Sequence, residues 1–205
     1  RESVNVAEQE AHRARAEVLP GFSLPAFYYQ AGERYLQDVE ILRRNSWVLA
    51  GHVSQIPKAG DYFLFNLADE SIIVIRSEDG SLRAFYNVCR HRGSRICLGQ
   101  RGDTRRLVCP YHAWSYTTDG RLVGSPDMPS WFDRSEYALK PCHLGSVDGL
   151  IFINLAYGGQ PPSFEAFVSR MKPFMAPYQL DHTKVIAQQI LRCDANWKKS
   201  DVAMS

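Results

Sequence analysis

The chain has 205 residues, enough to bury one full core and to begin a second without disulfide or metal staples. Lys and Arg number 24 against 22 Asp and Glu, a net charge of +2, so no basic field of the kind that gathers nucleic acid is present. No apolar run of about eighteen residues occurs, and the charged start from Arg1 to Glu17 is unlike a secretory leader. These features predict a soluble cytoplasmic protein with no membrane partner.

Residues Arg1 to Val18 are polar and charged and read as a frayed helix or mobile arm that ends at Leu19-Pro20-Gly21. After the aromatic run Phe27-Tyr28-Tyr29, the apolar residues Tyr35, Leu36, Val39, Leu42 and Trp47 recur at three- and four-residue steps. They predict an amphipathic helix over Glu33 to Asn45. From Trp47 the period changes. Trp47 to His52, Tyr62 to Leu67 and Ile72 to Ile75 read as strands. Asp79-Gly80 turns the chain into a further strand, Leu82 to Asn87. Arg105 to Val108, Arg121 to Val123 and Gly149 to Leu155 complete the set, and short strands at short intervals indicate an antiparallel sandwich or small barrel. Gly158-Gly159-Gln160-Pro161-Pro162 marks a boundary. Beyond it Ser163 caps a helix that Pro173 stops, and Lys184 to Arg192 reads as a strand opening a second sheet.

Two of these strands run into the residues that carry the chemistry. Cys89-Arg90-His91 and Cys109-Pro110-Tyr111-His112 each pair one Cys with one His, seventeen residues apart. In a Rieske [2Fe-2S] cluster two Cys hold one iron and two His the other, so each of two loops donates one ligand to each iron. Cys89, His91, Cys109 and His112 are therefore the candidate metal and cofactor ligands. Two ferric ions, two sulfides and two thiolates sum to zero charge, two units less negative than an all-Cys cluster, which raises the potential. The competing reading is a structural Cys2His2 zinc site, but zinc arms usually space their ligands more widely than Cys-x-His. Cys97, Cys142 and Cys193 are left over and read as buried free thiols.

The flanks of these loops resemble a known family. Asn87-Val88-Cys89-Arg90-His91-Arg92-Gly93-Ser94-Arg95 and Cys109-Pro110-Tyr111-His112-Ala113-Trp114-Ser115-Tyr116, with Asp119-Gly120, are similar to the Rieske domain of the α-subunits of Rieske non-haem iron oxygenases. Gly51-His52, the Arg-His-Arg-Gly-Ser-Arg run and Ala195-Asn196-Trp197-Lys198 most resemble the branch acting on quaternary ammonium compounds such as glycine betaine. The resemblance implies a mainly β fold: a Rieske-type antiparallel β-sandwich with an N-terminal helix, followed by the start of an α+β catalytic domain. The implied divisions are an arm and helix over 1–46, a Rieske domain over 47–157 and an incomplete catalytic domain over 158–205. It also implies that Trp114 packs beside the cluster and that a reductase or ferredoxin donates electrons. Those electrons go to a mononuclear Fe(II), usually in the neighbouring subunit of a homotrimer, where O2 is used to hydroxylate or N-demethylate a small-molecule substrate.

The family's facial triad of two His and one carboxylate follows its Asn-Trp-Lys, whereas here no His occurs after His182. His12, His52, His143 and His182 are scattered and read as packed or surface residues, so no catalytic residue is assigned and Ser205 is expected to end a piece of a longer subunit. Arg90, Arg92, Arg95, Arg101, Arg105 and Arg106, with Asp103 the one acid among them, read either as a basic rim that steers an acidic electron donor or as solvated loop charge with contacts to the rest of a subunit assembly. Trp47, Trp131, Phe27, Tyr28 and Tyr29 read as core aromatics rather than a cation cage. The alternative function is a stand-alone Rieske ferredoxin-like electron carrier, which has no need of residues 163 to 198.

Overall fold

The computed structural model describes residues 26–29 and 32–190. The expected arm over 1–18, Cys193 and the Asn196-Trp197-Lys198 motif lie outside the described residues. Residues 39–188 form one compact unit, and the described residues before 39 belong to another. That second unit contains the single turn Ala26–Tyr29 and the first half of helix α1 (Glu33–Asn45), with the Arg34 guanidinium 5.3 Å from the centre of the Tyr28 ring.

The larger unit is built from three antiparallel sheets. The inner sheet has the order β4 (Leu82–Tyr86), β3 (Glu70–Arg76), β2 (Asp61–Leu67), β5 (Arg101–Asp103). β3 is its key strand. Ile72, Ile73, Val74 and Ile75 are all fully buried, because β3 is flanked by strands and covered on both faces. Ile73 and Ile75 point into a core shared with Phe85, Leu107, Trp114, Tyr116 and Leu122. Ile72 and Val74 point the other way, toward Ile56, Phe63, Ile151 and Ile153. The period-two alternation of a strand thus feeds two cores from four consecutive residues. Each such side chain contributes about 1.5–3 kcal/mol through burial.

The first core is closed by the small sheet β6 (Leu107–Val108), β7 (Ser115–Tyr116), β8 (Leu122–Gly124). The second is closed by β1 (Val48–His52), β10 (Leu150–Asn154) and β9 (His143–Val147). Asn154 ties this sheet to the end of α1. Its amide donates to the carbonyls of Arg44 (3.1 Å) and Ser46 (2.9 Å), while the Leu155 N–H reaches Arg43 O (3.0 Å), so two carbonyls of the helix end and one just beyond it find donors. Helix α2 (Phe164–Met175) begins at the Ser163 cap and packs Phe164 on Trp47 and Phe167 on Phe152, at ring separations of 4.8 and 4.9 Å.

The fold is the expected mainly β arrangement, with four local corrections. Pro173 lies inside α2 rather than ending it; so near the C-terminus it removes one hydrogen bond, and the helix continues to Met175. The expected strand over 105–108 narrows to Leu107–Val108, and three strands absent from the sequence reading appear: β7, two residues long, and β5 and β9, where glycines at 102 and 145 had masked the pattern. Gly149 belongs to a turn, not to β10: Asp148 and Gly149 have φ of 48° and 77°, the two-residue connection that matches strand twist between Val147 and Leu150. No strand occurs over 184–190. There the Val185 N–H is taken by the Ser54 hydroxyl (3.0 Å) instead of a sheet partner, and His52 Nε2 meets Leu180 O at 3.1 Å.

A Cβ at Gly149 would stand 2.3 Å from His52 Nε2, at a φ that L-residues resist. Gly149→Ala is therefore expected to cost about 2 kcal/mol or more, measured as a lower urea midpoint at unchanged slope.

Candidate metal centre

The two Cys–His arms sit on loops with one backbone frame. In the first, Cys89 N–H donates to Ser94 O (2.8 Å) and Gly93 N–H returns to Cys89 O (3.0 Å). In the second, Cys109 N–H donates to Trp114 O (2.8 Å) and Ala113 N–H returns to Cys109 O (3.0 Å). The residue four places after each Cys takes a left-handed conformation, with φ of 74° at Gly93 and 56° at Ala113. Both frames hold Cys at the inner end and His near the tip. The second loop is itself the connection between paired strands β6 and β7.

The first loop lacks such a hairpin and is held by Asn87, which is fully buried. Its Oδ1 accepts from the N–H groups of Ile96 and Cys97 (both 2.9 Å), and its Nδ2 donates to Cys97 O (2.8 Å) and Ser71 Oγ (3.3 Å). One side chain thus joins the start of the loop to its end and to the beginning of β3.

The donor atoms converge in like pairs. Cys89 and Cys109 are both 2% exposed and lie in the same buried cluster. The rings of His91 and His112 are 4.8 Å apart and half-buried. Trp114, 1% exposed, stacks flat on His91 at 4.7 Å and 6°. Burial pushes the Cys89 thiol pKa up, opposed by the hydrogen bond from Tyr116. The Tyr116 hydroxyl lies 3.3 Å from Cys89 Sγ and accepts the Arg90 N–H at 3.1 Å, which directs its own proton at the sulfur. Desolvation, then His112 and Arg92, lower the His91 pKa and favour the neutral imidazole that a metal ligand must be.

These residues fit a [2Fe-2S] centre. His91 Nδ1 is a buried nitrogen with no hydrogen-bond partner, as expected of an atom whose lone pair is meant for a metal. Among the described residues no three His, Cys, Asp or Glu side chains converge as for one ion, and a cluster taking two protein ligands per iron requires no such point.

Of the other residues singled out in the sequence, His52 and His143 are packed residues bonded to backbone carbonyls, His182 is exposed, and His12 lies outside the described residues. Cys97 and Cys142 are buried free thiols. Arg92, Arg95, Arg101, Arg105 and Arg106 are exposed, whereas Arg90 is half-buried. Trp131 is 81% exposed rather than core. The roles of Asn87 and Tyr116 were not read from the sequence. Both stand in the quoted motifs, but only the folded contacts reveal what they hold.

Comparison with known proteins agrees with this geometry. Residues 46–143 match the Rieske [2Fe-2S] domain family, and this part of the chain belongs to it. The chain is in turn homologous to oxygenase subunits. It is 37% identical over 195 residues to the glycine betaine monooxygenase oxygenase subunit of Pseudomonas aeruginosa, covering 93% of this chain and 45% of that protein. It is 33% identical over 174 residues to the biphenyl 2,3-dioxygenase α-subunit of Rhodococcus jostii, covering 80% and 37%. Among solved structures, the quaternary ammonium Rieske monooxygenase CntA superposes with a TM-score of 0.75 at 28% identity, over 84% of this chain and 49% of that one. The chain thus spans less than half the length of the curated relatives it matches. The similarity nonetheless runs well past residue 143, which favours an oxygenase subunit over a stand-alone carrier.

Removing the Asn87 side chain leaves the buried N–H groups of Ile96 and Cys97 unpaired. Asn87→Ala is expected to lose about 3 kcal/mol of stability in chemical denaturation.

Proposed function

We propose that Cys89 and Cys109 hold one iron and His91 and His112 the other, and that the chain is the electron-entry portion of a Rieske non-haem iron oxygenase α-subunit. The observation that carries this reading is the meeting of two thiols and two imidazoles from two loops of the same backbone frame. When bound, the cluster supplies a one-electron store, with potentials of His-ligated centres spanning about −150 to +300 mV.

The chain's own residues determine how such a centre is used. Both thiols lie in the core, where Trp114, Tyr116 and Leu107 exclude water from them. The imidazoles are half-exposed beside Tyr111, whose ring is 3.8 Å from that of His112, so electrons pass through this face. The Tyr116 hydroxyl steadies negative charge on Cys89. The exposed arginines at 92, 95, 101, 105 and 106 favour an acidic reductase or ferredoxin as electron donor.

In the whole protein, residues 1–46 are an arm and helix, 47–157 the Rieske domain and 158–205 the start of a catalytic domain. The homotrimeric enzyme uses O2 and a mononuclear Fe(II) to hydroxylate or N-demethylate a small organic substrate, a quaternary ammonium compound being favoured by the named relatives. Among the described residues no helix is long and apolar enough to cross a membrane.

Metal analysis and EPR of the dithionite-reduced protein test the ligand set. A Rieske-type signal that disappears when Cys89 or His112 is replaced by Ala is expected; bound zinc with no signal in the unaltered protein would falsify the assignment. Tyr116→Phe keeps the ring but removes the donor to Cys89, and redox titration should show a midpoint potential lower by tens of millivolts, where about 59 mV is a tenfold change for one electron.

A further inference from the structure

We infer that Trp114 is more than packing: its indole N–H is a hydrogen-bond donor to the sulfur of the centre and raises its reduction potential. The inference rests on the ligand set proposed above. Trp114 is 1% exposed, and its Nε1 is buried without a partner. A buried indole N–H normally finds an acceptor, and leaving one unpaired is costly. None of the rings it packs against takes that hydrogen. It stacks on the His91 ring and meets Phe132 and Tyr137 at 5.5 and 5.8 Å, the latter edge-on.

Among the described residues, four buried nitrogens lack a partner, Arg43 Nε, Arg90 Nε, His91 Nδ1 and Trp114 Nε1, and the last three are on the two ligand loops. His91 Nδ1 offers a lone pair and suits iron. Trp114 Nε1 offers only a proton and suits an anion. The anion this core is built to hold is sulfur: Cys89 and Cys109 lie in the same cluster of buried side chains as Trp114. Cys89 Sγ is already served by Tyr116, so the indole answers the sulfur that Tyr116 does not reach.

The position is set by backbone. Trp114 O accepts the Cys109 N–H, and the left-handed Ala113 turns the chain so that the indole lies against His91 rather than in solvent. Reduction adds one negative charge at the centre, and a donor aimed at its sulfur favours the more negative state.

The test is an EPR-monitored redox titration of the loaded protein and of Trp114→Phe, which keeps an aromatic ring but removes the N–H. The expected result is a roughly tenfold loss in the relative stability of the reduced form, about 59 mV for one electron. Phe132→Leu loosens the same packing without removing a donor and should leave the potential in place. An unchanged potential in Trp114→Phe, or an equal shift in Phe132→Leu, overturns the inference. If Trp114→Phe does not load, pulsed EPR of the unaltered protein carrying indole-15N tryptophan decides: a weak 15N coupling is expected, and its absence overturns the inference. Resonance Raman locates the acceptor, since the variant should move bridging-sulfide modes if it is inorganic sulfide and iron–thiolate modes if it is Cys109. Loss of the Rieske signal in the unaltered protein would be a failure of the ligand set instead.

Discussion

Two short loops, seventeen residues apart along the chain, have to deliver matched pairs of side chains to one place, and the rest of the domain answers to that requirement. The inner sheet meets it. β4 leads into the first loop, and the same sheet's buried Ile73 and Ile75 pack against the small sheet that carries the second. Because well-packed interiors deform little, fixing these strands fixes the separation of the loops. The loops need only local bonds to finish the task, one through a hairpin and the other through Asn87.

Burial divides the site by chemistry. The thiols are inside, where desolvation penalises a free thiolate and makes a metal partner worth more. The imidazoles reach the boundary between core and solvent. Tyr116 and Trp114 occupy the inner side and leave the outer face to His91, His112 and Tyr111. The sequence similarity to oxygenase subunits is consistent with this division between a protected store and an accessible edge.

Much of this was legible in the sequence because strong local signals agreed. The helix over Glu33–Asn45 has a clean helical period, and the four candidate ligands stand out by residue type and spacing. Where the pattern was faint, reading failed for identifiable reasons. β9 contains Gly145 and Ser146, which carry little strand character, and its place is owed to pairing with β10. The stretch from Lys184 alternates like a strand, but its N–H at Val185 is claimed by Ser54, a residue more than a hundred positions away that no local rule can see. Tyr116 looked like one more aromatic beside a motif, and its hydroxyl has meaning only once the chain brings Cys89 to it.

The shared frame of the two loops separates scaffold from cargo. The same six-residue crossing of hydrogen bonds carries His two places after Cys in one loop and three places after it in the other. What the fold preserves is the count from each Cys to its left-handed turn residue, and the ligand may ride at either of the positions between. A one-residue change in chain length inside either frame would therefore break it. Leu98 and Gly99, lying between the Asn87 clamp and the Gln100 carbonyl that accepts the Leu64 N–H, are bound by neither frame and can absorb the same change without moving either Cys–His pair.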